Sequence, residues 1–146
     1  MPKFEREVEI DASVERVWEA MTNPDLWPQW FPGVDSVANV TLDSEGGSFD
    51  WESDGQVGHA VIVKMEPMKR LEIMTQLGDD KDRHLFELRP SGSFFGLGDD
   101  ECKVQYMLDT LTGGGILGRF VAGGNPKDAL RVKKAMLLLR RLVESQ

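Results

Sequence analysis

The side chains with most capacity for chemistry are few: His59, His84, Cys102 and Tyr106, the last being the single tyrosine of the chain. Imidazole and phenol groups hold or pass protons when a substrate lies within hydrogen-bond reach. His59 and Tyr106 each stand in the middle of an otherwise apolar strand-like run, which makes them the leading candidates, with His84 the third. The bland alternative for each is a core polar group whose hydrogen bonds are satisfied locally. Cys102 is read as an inert buried thiol, because no sequence neighbour supplies the base or the lowered pKa that a nucleophilic cysteine needs. Two histidines 25 positions apart and one cysteine make no transition-metal ligand set. Asp79, Asp80 and Asp82 lack the spacing and the distal glutamate of a calcium loop. No metal and no cofactor are expected.

Other motifs fail on context. Gly113-Gly114-Gly115-Ile116-Leu117-Gly118 fits G-x-G-x-x-G, but a dinucleotide site needs a βαβ unit, and here one helix follows with no strand after it. These glycines read instead as a joint between the last strand and the last helix. There is no G-x-S-x-G elbow, P-loop or H-E-x-x-H. Phe94-Phe95-Gly96-Leu97 is an apolar loop that can cap the core, act as a lid, or form a docking patch that pairs two copies.

These residues need a scaffold, and composition bounds it. The chain has 146 residues, 40% of them hydrophobic, a net charge of −8 and a mean hydropathy of −0.33, as expected of one globular domain over 1–146. A pI of 4.8 disfavours nucleic-acid binding. No apolar run is long enough to span a bilayer, and the opening residues lack the apolar stretch of a signal peptide, so a cytoplasmic location is expected. From Leu117 onward seven basic residues face only Asp128 and Glu144, which leaves this stretch at +5 and residues 1–116 at −13. A solvated helix face explains that strip most simply; an acidic partner or a membrane surface would also suit it.

Alternation of Phe4, Arg6, Val8 and Ile10 with Glu5, Glu7 and Glu9 predicts a first strand. Ser13 caps a short helix carrying Val14, Val17, Trp18 and Met21, and Asn23-Pro24-Asp25 opens a second that ends before Pro32-Gly33. Strands are predicted at 34–43, 47–53, 57–66, 69–77, 82–90 and 101–111, with Asp54-Gly55 the strongest hairpin signal. The last helix, from Asn125-Pro126 to about Glu144, carries apolar residues over more than one stripe, so a wide face is expected to bury against the sheet. The fold class is α+β: a curved antiparallel sheet of about seven strands gripping a long C-terminal helix.

The stretch Ile10-Asp11-Ala12-Ser13, Val17-Trp18 and Trp27-Pro28-Gln29-Trp30-Phe31-Pro32-Gly33 resembles the opening of the START-like, or SRPBCC, superfamily. The later run GGSFDWESDGQVGHAVIVKMEPMKRLEI resembles its third to fifth strands, and the element order matches over essentially the whole chain. The resemblance implies a helix-grip fold with a cavity between sheet and helix. That superfold hosts carriers, cyclases, dehydratases and co-chaperones.

The lining expected of such a cavity is Trp51, His59, Val61, Ile73, Thr75, Phe86, Tyr106, Met136 and Leu139, with Arg6 and His84 as further polar groups. Trp18, Trp27 and Trp30 are assigned to core and helix packing. A mainly apolar wall with a few polar handles suits a small hydrophobic ligand (a lipid, a polyketide-like aromatic or a quinone). The expected function is that of a carrier or sensor. A cyclase or dehydratase using His59, His84 or Tyr106 as acid–base groups is the alternative, and an interaction module acting through its surface the third.

Overall fold

The computed structural model describes residues 3–43, 46–91, 101–112 and 126–145. The Phe94–Leu97 loop and the glycines from 113 to 118 lie outside the described residues.

Strand β1 (Lys3–Ile10) is followed by helix α1 (Val14–Met21), a 3-10 turn (Pro24–Leu26) and the single-turn helix α2 (Trp27–Trp30). Ser13 caps α1, its hydroxyl accepting the Arg16 N–H at 3.2 Å. The second helix expected from Asn23 is split. Asn23 caps the 3-10 turn, and Pro28, which has no N–H to donate, sits in the first turn of α2. Then come β2 (Ser36–Asp43), β3 (Gly46–Ser53), β4 (Gln56–Glu66), β5 (Arg70–Leu77), β6 (Asp80–Pro90), β7 (Cys102–Thr112) and the long helix α3 (Pro126–Glu144).

The sheet order is β1-β7-β6-β5-β4-β3-β2, with every pairing antiparallel. A meander from β2 to β7 is closed by β1, which returns beside β7. The Asp54-Gly55 hairpin forms where the dipeptide predicts it, both residues adopting positive φ (49° and 80°).

Alternation sets the inner face. Phe49 and Trp51 in β3, Ala60 and Ile62 in β4, Leu71, Ile73 and Thr75 in β5, Phe86 and Leu88 in β6, and Cys102, Val104, Tyr106 and Leu108 in β7 are all buried. Helix α3 closes this face with one stripe, Val132, Ala135, Met136, Leu139 and Val143. The wide apolar face expected for this helix is narrower in the structure: Leu130 is 64% exposed and Leu137 39%. The end of α3 is tied to the rest of the chain by the Arg16 guanidinium donating to the Val143 carbonyl at 3.1 Å, and by the Asp11 N–H donating to Glu144 Oε2 at 2.9 Å.

Candidate functional site

Three polar side chains cross the inner face diagonally. In the register, Ile73 and Leu108 flank His84, while Thr75 stands opposite Asp82 and Tyr106 opposite Phe86. Thr75, His84 and Tyr106 are thus offset by two residues from strand to strand, a diagonal that longer side chains bridge. Thr75 Oγ1 lies 2.9 Å from His84 Nε2, and His84 Nδ1 lies 2.6 Å from the Tyr106 hydroxyl. All three residues are buried: Thr75 4%, His84 1% and Tyr106 0% exposed.

Aromatic rings wall this chain of hydrogen bonds. Phe86 stacks on Tyr106 at 4.4 Å, and Phe31 lies 4.9 Å from the His84 ring. Trp30, from α2, meets Phe86 edge-on at 5.4 Å and Phe31 at 5.5 Å. Trp27 packs on Phe49 at 4.4 Å, and its indole N–H donates to the Met21 carbonyl at 2.7 Å. The indole nitrogens of Trp30 and Trp51 are buried and have no such partner among the described residues.

Burial decides the protonation states. It pushes the His84 pKa down to about 3, helped by the nearby Arg131 charge, so the imidazole is neutral at physiological pH. Burial holds the Tyr106 hydroxyl well above its ordinary pKa, so the phenol keeps its proton. A charged cluster adjoins the neutral chain. Arg131 of α3 donates to Asp128 Oδ1 at 2.9 Å and reaches Asp82 Oδ2 of β6 at 3.5 Å. Desolvation raises the Asp82 carboxyl to about 6 against the pull of Arg131. For Arg131 itself burial opposes the charge, but Asp82 and Asp128 hold its pKa above the ordinary value. Cys102 is buried, and desolvation pushes its thiol up to about 11, which leaves little thiolate for nucleophilic attack. Among the described residues there is no group of three or more His, Cys, Asp and Glu suited to a metal ion.

Of the residues expected to line the interior, Trp51, Ile73, Thr75, Phe86, Tyr106, Met136 and Leu139 are buried on the faces that sheet and helix turn to each other, together with His84. His59 and Val61 are not. The His59 side chain is 59% exposed and pairs with Asp50 at 2.8 Å, and Val61 is 44% exposed. They lie on the outer face with Val57 and Val63, because β4 turns Gly58, Ala60 and Ile62 inward. The inward side is forced at Gly58: a Cβ there would stand 2.8 Å from the Trp51 ring and 2.5 Å from the Gln76 carbonyl. Arg6 shares the Tyr106 register position but is exposed on the edge strand β1. Sequence reasoning passed over the Asp82–Arg131–Asp128 cluster. The i, i+3 spacing of Asp128 and Arg131 was a legible signal, whereas the link to Asp82 joins strand to helix across the fold.

Residues 1–134 match the family described as polyketide cyclase/dehydrase and lipid transport. The chain belongs to this family. No curated protein matches the sequence. Its fold is shared with a START superfamily protein from Mycobacterium smegmatis (19% identity, TM-score 0.64, covering 99% of this chain and 96% of that one). Protein MLL2253 from Mesorhizobium loti superposes with TM-score 0.73 at 17% identity, over 99% and 98% of the two chains. DynU16, from the dynemicin biosynthetic locus, is similar at 20% identity with TM-score 0.68; the chain covers 99% of itself but only 48% of DynU16. The family and the helix-grip fold agree with the resemblance carried by the opening strand and the Trp-rich helices. No helix among the described residues is long and apolar enough to cross a membrane.

Proposed function

We propose that this family member binds a small, largely hydrophobic molecule between the sheet and α3, as a carrier or sensor. The observation that carries the reading is the Thr75–His84–Tyr106 chain, three buried polar groups set among aromatic rings. Buried polar groups must find hydrogen-bond partners, which these three find in one another, and aromatic walls with a few convergent polar groups are the usual makeup of a ligand site. The family description, cyclase/dehydrase and lipid transport, is consistent with such a ligand.

Turnover is the second reading, favoured by the 2.6 Å contact of His84 with Tyr106. Against it, His84 is held neutral with a pKa of about 3, far from that of a general acid or base working at neutral pH. Binding therefore stands first. Native mass spectrometry of gently purified protein, followed by denaturing extraction, tests the reading. A discrete small-molecule adduct is expected. A clean apo mass, with no thermal shift from lipids, quinones or aromatic ketones, would contradict it.

A further inference from the structure

The exposed large hydrophobic residues fall into two groups set in surroundings of opposite charge. Leu42, Val57, Val61 and Val63 belong to β2 and β4, and Leu130 and Leu137 to α3; Met68, in the turn after β4, is the one other among the described residues. Single exposed apolar side chains are ordinary, whereas apolar residues gathered within a polar surface mark an interface.

The first group lies in a stretch without cations. Between Arg16 and Lys64 the sequence has no lysine or arginine but eight acids. On the outer face Glu52 stands opposite Val57, and Asp50 opposite His59. Asp35 and Asp54 sit at the same end of the sheet, the Asp54 N–H donating to Asp35 Oδ2 at 2.9 Å. His59 pairs with Asp50, whereas Glu52 is exposed and makes no ion pair among the described residues.

The second group is set among cations. Leu130 and Leu137 are two turns apart on α3, with Lys133 and Lys134 between them and Arg140 and Arg141 one turn further on, all exposed. This spacing runs a leucine stripe between two basic rows, on the side of α3 opposite its buried stripe. Arg140 reaches Glu144 at 3.5 Å; Lys133, Lys134 and Arg141 make no ion pair among the described residues. Leu130 to Leu137 spans about 10.5 Å along a helix and Val57 to Val61 about 13 Å along a strand, so both leucines can rest on the valine row at once.

We infer that a second copy of this chain docks the basic leucine face of its α3 on the acidic valine face of β3 and β4. The charges are complementary, and the contact covers both apolar groups together. An anionic bilayer would match the helix alone and leave the valines in water. The two faces differ, so the contact is head-to-tail. Each copy keeps one face for a further copy, and assembly extends beyond a dimer.

Sedimentation equilibrium of the full chain tests this. At low salt the mean mass is expected to rise with concentration from the 16.4 kDa monomer to more than twice that value. In about 1 M salt, which screens charges beyond about 3 Å, it is expected to fall back towards the monomer. The double variants Lys133→Glu/Lys134→Glu and Val57→Ser/Val61→Ser alter exposed positions only, and circular dichroism confirms that they are folded. Each alone is expected to stay monomeric. Mixed one to one, they are expected to form a species of twice the monomer mass and none larger, because one intact face of each kind remains. Should the serine variant fail to fold, excess glutamate variant added to the parent decides: it keeps the sheet face and is expected to shorten the assemblies. A parent that stays monomeric at every concentration, a folded serine variant that still associates, or a mixture that stays monomeric would each overturn the inference. Binding of a monomeric parent to phosphatidylserine vesicles, lost in the glutamate variant, would overturn it in favour of a lipid surface.

Discussion

The two histidines occupy opposite faces of one sheet. His84 of β6 points inward, is 1% exposed, and bridges Thr75 and Tyr106. His59 of β4 points outward, is 59% exposed, and bonds Asp50 on the neighbouring strand. Burial strips the first of its charge, whereas the second lowers the Asp50 pKa through a solvent-exposed hydrogen bond. The same residue type is thus part of a candidate binding wall in one place and surface decoration in the other. Which face of the strand is inside makes the difference.

The largest effect that sharpens this contrast is on stability. His84→Ala leaves a cavity and strands two buried hydroxyls, so urea unfolding is expected to show a loss of about 3 kcal/mol. A loss no larger than that of His59→Ala would erase the distinction between the faces. Next comes the residue that fixes the facing of β4. Gly58→Val forces a side chain against the Trp51 ring and the Gln76 carbonyl, and overpacking of this kind costs about 2 kcal/mol. An unchanged unfolding midpoint would mean that β4 can turn its other face inward.

Acid gives the third effect. Between pH 6.5 and about 3 the unfolded chain takes up a proton at His84 that the folded protein refuses, so stability falls as pH drops through that window. Asp82 opposes this: its folded carboxyl keeps a proton up to about pH 6, while the unfolded one releases it near 3.8, so its burial costs more as pH rises between those values. Asp82→Asn removes the opposing slope, and acid destabilisation is then expected to approach about 1.4 kcal/mol per pH unit below 6. A flat profile in that variant would contradict a buried, neutral His84. The smallest effect is that of His59→Ala, which breaks an exposed pair and is expected to leave the unfolding midpoint and the co-purified small molecule unchanged.

The fold was legible because its signals are local. Asp54-Gly55 specifies its hairpin, Ser13 its cap, and the strand spacing the meander. The facing of β4 was not legible, because both of its alternating sets are apolar: Val57, Val61 and Val63 on one side, Ala60 and Ile62 with Gly58 on the other. The valines make the stronger pattern, yet the small residues go inside, where Trp51 needs the room. In β5 to β7 the outward positions are mostly charged or polar, so Thr75, Phe86 and Tyr106 could be read as inward from alternation alone. The Trp30 indole was legible only as core packing, because an unpartnered N–H is a fact of three-dimensional surroundings.

The most direct test of the central claim reads the indole N–H groups themselves. The four tryptophans give separate side-chain signals in a 1H–15N correlation spectrum, assignable by single Trp→Phe variants. On adding the small molecule recovered from the purified protein, the Trp30 and Trp51 signals should move, while Trp27, whose N–H is bonded to the Met21 carbonyl, moves least. Shifts confined to backbone amides around His59 and Val61, with the Trp30 and Trp51 indoles unmoved, would place the ligand on the outer face and contradict the account.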